Sequence, residues 1–525
     1  MNQGPHILML AAENDALPGG KVGGIGDVVR DIAPALAALG CTVTVLTPGY
    51  GFLATVPGAQ CLGPQAVDFG GSPHSVMLFE VPGRRAHPGV RHCVIEHPRF
   101  DAGGRIYCDD PPDAPFASDA TRFALFCAAA GRALLDGRFG RVDVLHLHDW
   151  HAAFLAILRR FHPAYAPLQG LRCVLSLHNL ALQGVRPLGG HPSSLAAWYP
   201  GLGYEHGLLA DPRWPECVNP LAAAIRLADA VHAVSPSYAR EILEPSEVDN
   251  RGRYGGEGLE GDLRHAEAQG RLFGILNGCE YPDAPPPAPG WAQLLGAAHD
   301  CVLGWAAAAP GVPSAHFVAQ ARLAEWRARA QRPPLVLTSV GRVTDQKVRL
   351  LRQPGSDGRP ALVALLDALG DAGVLLALGS GDPALEAWLT ATSARHANFA
   401  FLRGYSDALS AQLYAGGDLF LMPSSFEPCG ISQMLAMRAG QPCLVHAVGG
   451  LRDTVEDGVT GFAFSGDSPA QQADALVATL KRALDWHRDA ARWQALRDAA
   501  AAARFGWEAS ARAYLSQLYR VTPAA

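Results

Sequence analysis

Two runs of one alternation constrain this chain most: short, nearly continuous apolar stretches, each followed by a longer segment of helical spacing. In the first run His6–Ala11 (HILMLA) reads as a strand, after which Ile25, Val28, Val29, Ile32, Leu36 and Leu39 share one helical face. Gly40 stops that helix, and Thr42–Thr47 (TVTVLT) is the next strand. The pattern returns at Val142–His148, Cys173–His178 and Ala230–Ser235. A second run opens at Leu335–Val340 and continues through Val374–Leu378, Phe399–Leu402, Asp418–Met422 and Pro442–His446. Strands that are apolar on both faces and separated by helices predict parallel sheets covered on each side. Between the runs lies Asn277–Gly290, rich in Pro and Gly, which continues neither a helix nor a central strand. The expected fold is therefore α/β, with two doubly wound, Rossmann-like domains at 1–271 and 272–505. Trp507, Ala511, Tyr514, Leu515, Leu518 and Tyr519 form an aromatic stripe that predicts a core-facing helix, with 506–525 packing back onto the first domain.

Composition narrows the function classes. Hydrophobic residues at 49% against 18% charged exclude wholesale disorder. A formal charge of -6 without blocks of like charge argues against a nucleic-acid or anionic-membrane surface, while leaving room for a local basic pocket. The 11 cysteines are scattered with no CxxC pair, which fits reduced thiols rather than a disulfide framework or zinc ribbon. The first residues lack the basic and apolar regions of a signal peptide, and no run approaches the ~18 apolar residues of a membrane span. A cytoplasmic protein is expected.

In parallel α/β sheets ligands bind beyond the carboxyl ends of strands, and five polar constellations fall there. Lys21-Val-Gly-Gly-Ile-Gly-Asp27 follows the first strand and opens a helix; Gly23 and Gly24 let a ligand approach the backbone, and Lys21 adds a mobile cation. Its spacing is neither that of a Walker loop nor of a GxGxxG fingerprint. His146-Leu-His-Asp-Trp-His151 follows another strand; alternation puts His146 and His148 on one face, and no metal-ligand spacing follows, so no metal is expected. Asp149 suits sugar hydroxyls, a helix cap being the structural alternative. His178 and Asn179 end a third strand with hydrogen-bonding groups. Gly341-Arg342-Val-Thr-Asp-Gln-Lys347 brings two cations into a tight polar loop able to clamp a diphosphate, a function favoured by Gly379-Ser-Gly381-Asp382 after the next strand. Met422–Gln433 (MPSSFEPCGISQ) sets Glu427 between Phe426 and Pro428 at a helix start.

Together KVGGIGDV, HLHDWHA, LHNLALQG, AVSPSYAREI, ILNG (Ile275–Gly278), GRVTDQK, LMPSSFEPCGISQ and GGLRDTVEDGVTGF (Gly449–Phe462) resemble the bacterial glycogen synthase and plant starch synthase family over nearly the whole chain. That resemblance implies a GT-B fold, two Rossmann-like domains facing a central cleft, and retaining transfer of glucose from a nucleotide sugar, ADP-glucose, to the non-reducing end of an α-1,4-glucan. By position, Lys21, Gly23 and Gly24 would face the phosphates and the acceptor end; Asp149, His178 and Asn179 would grip the sugar, and Asn277 would join the donor site. Arg342 and Lys347 would stabilise the departing diphosphate without a metal or other cofactor, with Gly381 beside them. Glu427 would hold the glucose or support its anomeric carbon; Cys429, Gly430 and Ile431 would offer amides, and Gly404 with Tyr405 would form the base-binding turn. The chain departs from the family at Cys279-Glu280-Tyr281-Pro282 after ILNG, at Phe317–Arg329 (FVAQARLAEWRAR), and at Val348, where the family has glycine. The alternatives are another retaining GT-B transferase with a different donor or acceptor, a phosphorylase carrying lysine-bound pyridoxal phosphate, or a catalytically silent glucan-binding paralogue.

Overall fold

A computed structural model describes residues 4–282, 287–329 and 331–522, so that 283–286 of the Pro-rich stretch lie outside the described residues. The chain forms two units: residues 1–245, 255–278 and 506–525 build the first, and 246–254 with 279–505 build the second.

The first unit is organised on a nine-stranded sheet. Its strands are β1 (His6–Leu10), β2 (Thr42–Pro48), β3 (Gln60–Phe69), β4 (Ser72–Glu80), β5 (Val90–Glu96), β6 (Val144–His148), β7 (Arg172–Leu177), β8 (Ala230–Ala233) and β9 (Leu272–Gly274). They run in the order β9-β8-β7-β6-β1-β2-β5-β4-β3. The seven strands from β9 to β5 are parallel, and β1, β6 and β7 are buried along most or all of their length, as apolar runs require. The far edge corrects the all-parallel expectation. β3 and β4 form an antiparallel hairpin, β4 pairs antiparallel with β5, and β3 alternates buried and exposed residues towards its end, so one of its faces meets water. The boundary expected at residue 271 moves to Gly278/Cys279, because β9 pairs in register with β8 and cannot belong to another sheet.

The segment after Gly506 is helical over Trp507–Ala513 and then widens into a π-turn over Tyr514–Tyr519. Widening brings the neighbouring residues Tyr514 and Leu515, and again Leu518 and Tyr519, onto the buried side, where they join Ile32, Leu36 and Val43. Each fully buried aromatic of this kind contributes roughly 1.5–3 kcal/mol. The hydroxyls are satisfied too: Tyr519 meets His146 Nδ1 at 2.8 Å.

The second unit has a six-stranded, wholly parallel sheet. Its strands are β10 (Leu335–Val340), β11 (Gly373–Gly379), β12 (Phe399–Arg403), β13 (Leu419–Met422), β14 (Cys443–His446) and β15 (Gly461–Phe464), in the order β12-β11-β10-β13-β14-β15. Apolar clusters cover both faces, one led by Leu323, Trp326 and Met437 and the other by Leu362, Leu365 and Leu476. The helices Trp291–Ala308 and Ser314–Ala328 both contribute to the first of these clusters, and Trp326 is fully buried.

Both sheets reverse their order of growth once, between β1 and β6 in the first and between β10 and β13 in the second. Such switch points open a crevice beyond the strand ends. Lys21, Arg342 and Glu427 lie on the loops leaving β1, β10 and β13, and Asp149 directly follows β6 as the first residue of a helix. Among the described residues, no helix is long and apolar enough to cross a membrane.

Candidate functional site

In the second unit, β10 leads into Gly341-Arg342-Val343-Thr344, and the helix Asp345–Arg352 follows. Lys347 therefore sits in the first turn of a helix rather than in a loop, which is a correction to the sequence reading. Its ammonium pairs with a Glu427 carboxylate oxygen that also accepts from Ser424 Oγ at 3.0 Å. The two loops are tied by backbone as well: Gln346 Nε2 donates to the Phe426 carbonyl at 2.7 Å, and the Ser425 amide donates to the Gln346 carbonyl at 3.0 Å. Glu427 is 7% exposed. A carboxylate so desolvated needs a cation and hydrogen bonds to remain charged. Arg342 is exposed and has no ion-pair partner among the described residues.

Beyond Glu427 the chain turns through Cys429 and Gly430 to the short helix Ser432–Arg438, with Ile431 at its cap position. Gln433 Nε2 donates to the carbonyls of Cys429 and Gly430 at 3.1 Å each and fixes that turn. Gly404 stands after β12 and its amide donates to the Gly379 carbonyl at 3.1 Å. The indole of Trp305 closes over it: a Cβ there would lie 2.6 Å from the ring. Tyr405 is largely exposed, donates to Asp407 at 2.6 Å, and lines a pocket of about 160 Å³ with Ser410, Tyr414, Leu435 and Arg438. Gly381 follows β11 and is tied to the next helix. Its amide donates to Glu386 at 2.7 Å, and Asp382 caps the next helix through Ala384 and Leu385, so these groups serve the fold.

The first unit gathers a second cluster at its own switch point. The Val22 and Gly23 amides donate to one Glu13 oxygen at 2.7 and 2.5 Å, and the hydroxyl of Tyr107 donates to the other at 2.7 Å. Sequence reasoning passed over Glu13; its one signal was a carboxylate three residues past a strand end. Lys21 pairs with Asp27 at 2.6 Å. Gly24 is the first residue of the helix Gly24–Ala38.

Asp149 opens the helix Asp149–Phe161 with a left-handed φ of 53°. That conformation is strained for most side chains and is tolerated best by Asn and Asp. Its carboxylate does not cap its own helix but accepts the His178 amide at 2.7 Å, which brings Asp149 and His178 together. His178 shares a 2.9 Å hydrogen bond with His148, whose ring stacks on His146. Asn179 spends its Oδ1 on the Ala181 amide at 2.9 Å. Asn277 lies apart from these hydrogen bonds, with a buried Oδ1 that has no partner among the described residues. No group of three or more His, Cys, Asp or Glu among the described residues could hold a metal ion.

Burial pushes the Asp149 carboxyl up to about 8, with the charge of Glu13 adding and the His178 and Asn179 amides opposing. Folding thus raises this pKa above the unfolded value of about 3.9. Its contribution to stability is complete below about 4 and is lost as pH rises through 8, with a limiting slope of about 1.4 kcal/mol per pH unit. Asp149→Asn keeps the shape and the left-handed tolerance but cannot ionise. In thermal melts from pH 5 to 8.5 the variant should lose less stability than the wild type and match or exceed it at pH 8. Identical pH profiles would remove Asp149 as the titrating group.

Residues 6–265 match the family described as "Starch synthase catalytic domain", and 360–482 match "Glycosyl transferases group 1". A glycogen synthase of Anaeromyxobacter sp. (strain Fw109-5) is 34% identical over 98% of this chain and 99% of its own. One from Paracoccus denitrificans is 34% identical over 96% and 97%. Among solved structures, the catalytic domain of starch synthase IV from Arabidopsis thaliana, bound to ADP and acarbose, superposes with a TM-score of 0.75 at 26% identity, covering 98% of this chain and 99% of that one. A sucrose-phosphate synthase from Thermosynechococcus elongatus shares the fold at a TM-score of 0.51 and 18% identity.

Proposed function

Since this chain belongs to the glycogen synthase and starch synthase family, and is a glucan-synthesising glycosyltransferase of GT-B fold, we propose that its donor is ADP-glucose and that it extends the non-reducing end of an α-1,4-glucan with retention of configuration. The strongest support is the cluster Lys347–Glu427–Ser424 at the switch point of the second sheet. A buried carboxylate holds the lysine ready, and exposed Arg342 lies five positions earlier.

When the bond between C1 and the phosphate oxygen breaks, negative charge grows on ADP and positive charge on the sugar. Lys347 and Arg342 stabilise the first, the largest lever for a leaving group of this kind. Lys347 then leans from Glu427 towards the diphosphate, and the freed carboxylate of Glu427 faces the sugar. The acceptor's O4 attacks from the side the diphosphate leaves, and its proton passes to the departing phosphate oxygen. In the first unit Asp149 and His178 offer hydrogen-bonding groups suited to sugar hydroxyls, and in the second Tyr405 offers a ring face for the base. The ADP in the Arabidopsis neighbour favours adenine as that base and acarbose favours a glucan acceptor.

Nucleotide release from ADP-glucose and UDP-glucose, with glycogen, maltooligosaccharides or no acceptor, is the direct test. ADP should appear only with a glucan present, and the new linkage should be α. Preferential UDP release would overturn the donor, a β linkage would overturn retention, and no release with any glucan would overturn the proposed reaction.

A further inference from the structure

We propose that His148 is a positioning residue that fixes the tautomer of His178: its Nδ1–H donates to His178 Nε2, leaving His178 to carry its proton on Nδ1 and offer it to the substrate. The inference rests on the reading above only in assigning the sugar to His178.

The two rings meet at Nδ1 of His148 and Nε2 of His178, 2.9 Å apart. Burial first, and neighbouring imidazoles second, hold both rings well below the ordinary histidine range, so both are neutral and one proton lies between them. The other nitrogen of His148, Nε2, is buried with no partner among the described residues. A proton on it would leave a buried N–H stripped of water and without an acceptor. A bare lone pair there is the milder defect, since buried acceptors go unsatisfied more readily than donors. The proton therefore belongs on Nδ1 and points at His178.

The neighbouring groups hold His148 in that pose. His232 Nε2 faces the Ile275 carbonyl at 3.0 Å and must donate to it. His232 Nδ1 then accepts from Ser176 Oγ at 2.7 Å, Ser176 accepts from His146 Nε2 at 2.7 Å, and His146 Nδ1 accepts from the Tyr519 hydroxyl at 2.8 Å. Every proton in this chain runs one way, and both nitrogens of His146 are taken. The His146 ring lies on His148 at 4.3 Å and 26°, so His148 has neither a competing partner there nor freedom to turn. Set this way, His178 presents a neutral N–H donor and cannot act as a base through Nδ1.

The test uses the full chain labelled with ¹⁵N-histidine, without substrate, at neutral pH. In the wild type the His178 resonances should show a protonated Nδ1 and an unprotonated, hydrogen-bonded Nε2. His148→Asn keeps a donor near the Nδ1 position, whereas His148→Leu keeps none. His148→Leu should abolish the hydrogen-bonded signature of His178 Nε2, leave its tautomer no longer fixed, and lower kcat for ADP-glucose about 10- to 100-fold with little change in KM. His148→Asn should retain the Nδ1–H signal and most of the rate. A wild-type His178 protonated on Nε2, or equal impairment of both variants with an unchanged His178 signal, overturns the proposal. A failure of the glucan synthase reading looks different: the wild type releases no ADP while the tautomer signal stands.

Discussion

Lys347→Ala should lower kcat with ADP-glucose by about 10³-fold, because a full positive charge next to a departing diphosphate is worth at least the 10²–10³ measured for one neutral oxyanion donor. KM should change far less, since the charge it answers is largest at bond breaking. The variant should also melt earlier. Glu427, with an 8% exposed side chain, would keep only Ser424, whereas the Lys347 side chain retains 22% exposure. Removing one partner of a fully buried pair costs about 3–5 kcal/mol; for this partly wetted pair about 1–3 kcal/mol is expected. Removing Glu427 as well should return most of that stability without returning activity, since no buried charge is then stranded. Thermal melts and steady-state rates on the two single variants and the double variant decide the matter. A Lys347→Ala enzyme within tenfold of the wild-type kcat would end the proposed role.

Gly449→Ala should have the largest effect on the second unit outside its core. Gly449 adopts φ 44°, and a Cβ there would lie 1.9 Å from the Glu427 carbonyl oxygen and 2.8 Å from its carbon. Neither is a flexible side-chain end, so the backbone bearing Glu427 must move. The adjacent Gly450 amide donates to that same carbonyl at 3.1 Å, and this bond would be lost with the shift. Strain in the left-handed region adds about 1–2 kcal/mol to the clash, and a total of 3 kcal/mol or more is expected, in the range reserved for buried steric errors. Activity should fall with it, because a displacement of about 1 Å at a positioned group costs on the order of 100-fold. Gly506→Ala, where nothing stands within 4 Å, is the control and should change neither melting nor rate. If Gly449→Ala melts and turns over like the wild type, the packing of these two segments does not set Glu427.

Much of this arrangement was legible in the sequence because parallel strands buried on both faces are written as apolar runs, and the motifs sit where those runs stop. The hairpin β3–β4 was not legible in that way. It contains Gly63 and Pro64, shows a register shift between Cys61 and Gly63, and exposes alternate residues, so no continuous apolar run marks it. The cluster of Lys347 and Glu427 could be anticipated from two motifs, but their pairing depends on β10 and β13 being adjacent, a property of strand order rather than of either motif. The partners of the Gly23 and Gly381 amides were not legible for one reason. A glycine-rich loop shows that backbone is accessible, not who takes its hydrogens, and Glu13 and Glu386 stand close enough to take them.

The path of the chain has a consequence for biosynthesis. It leaves the first unit at 245/246, returns at 254/255, leaves again at 278/279 and comes back only at 505/506. A ribosome therefore makes most of the first sheet early yet withholds Trp507, Tyr514 and Tyr519, which seal its apolar face and complete the hydrogen-bonded chain at His146. Nascent chains stalled before residue 507 should consequently display a greasy, chaperone-attracting surface that vanishes once the final helical turn emerges.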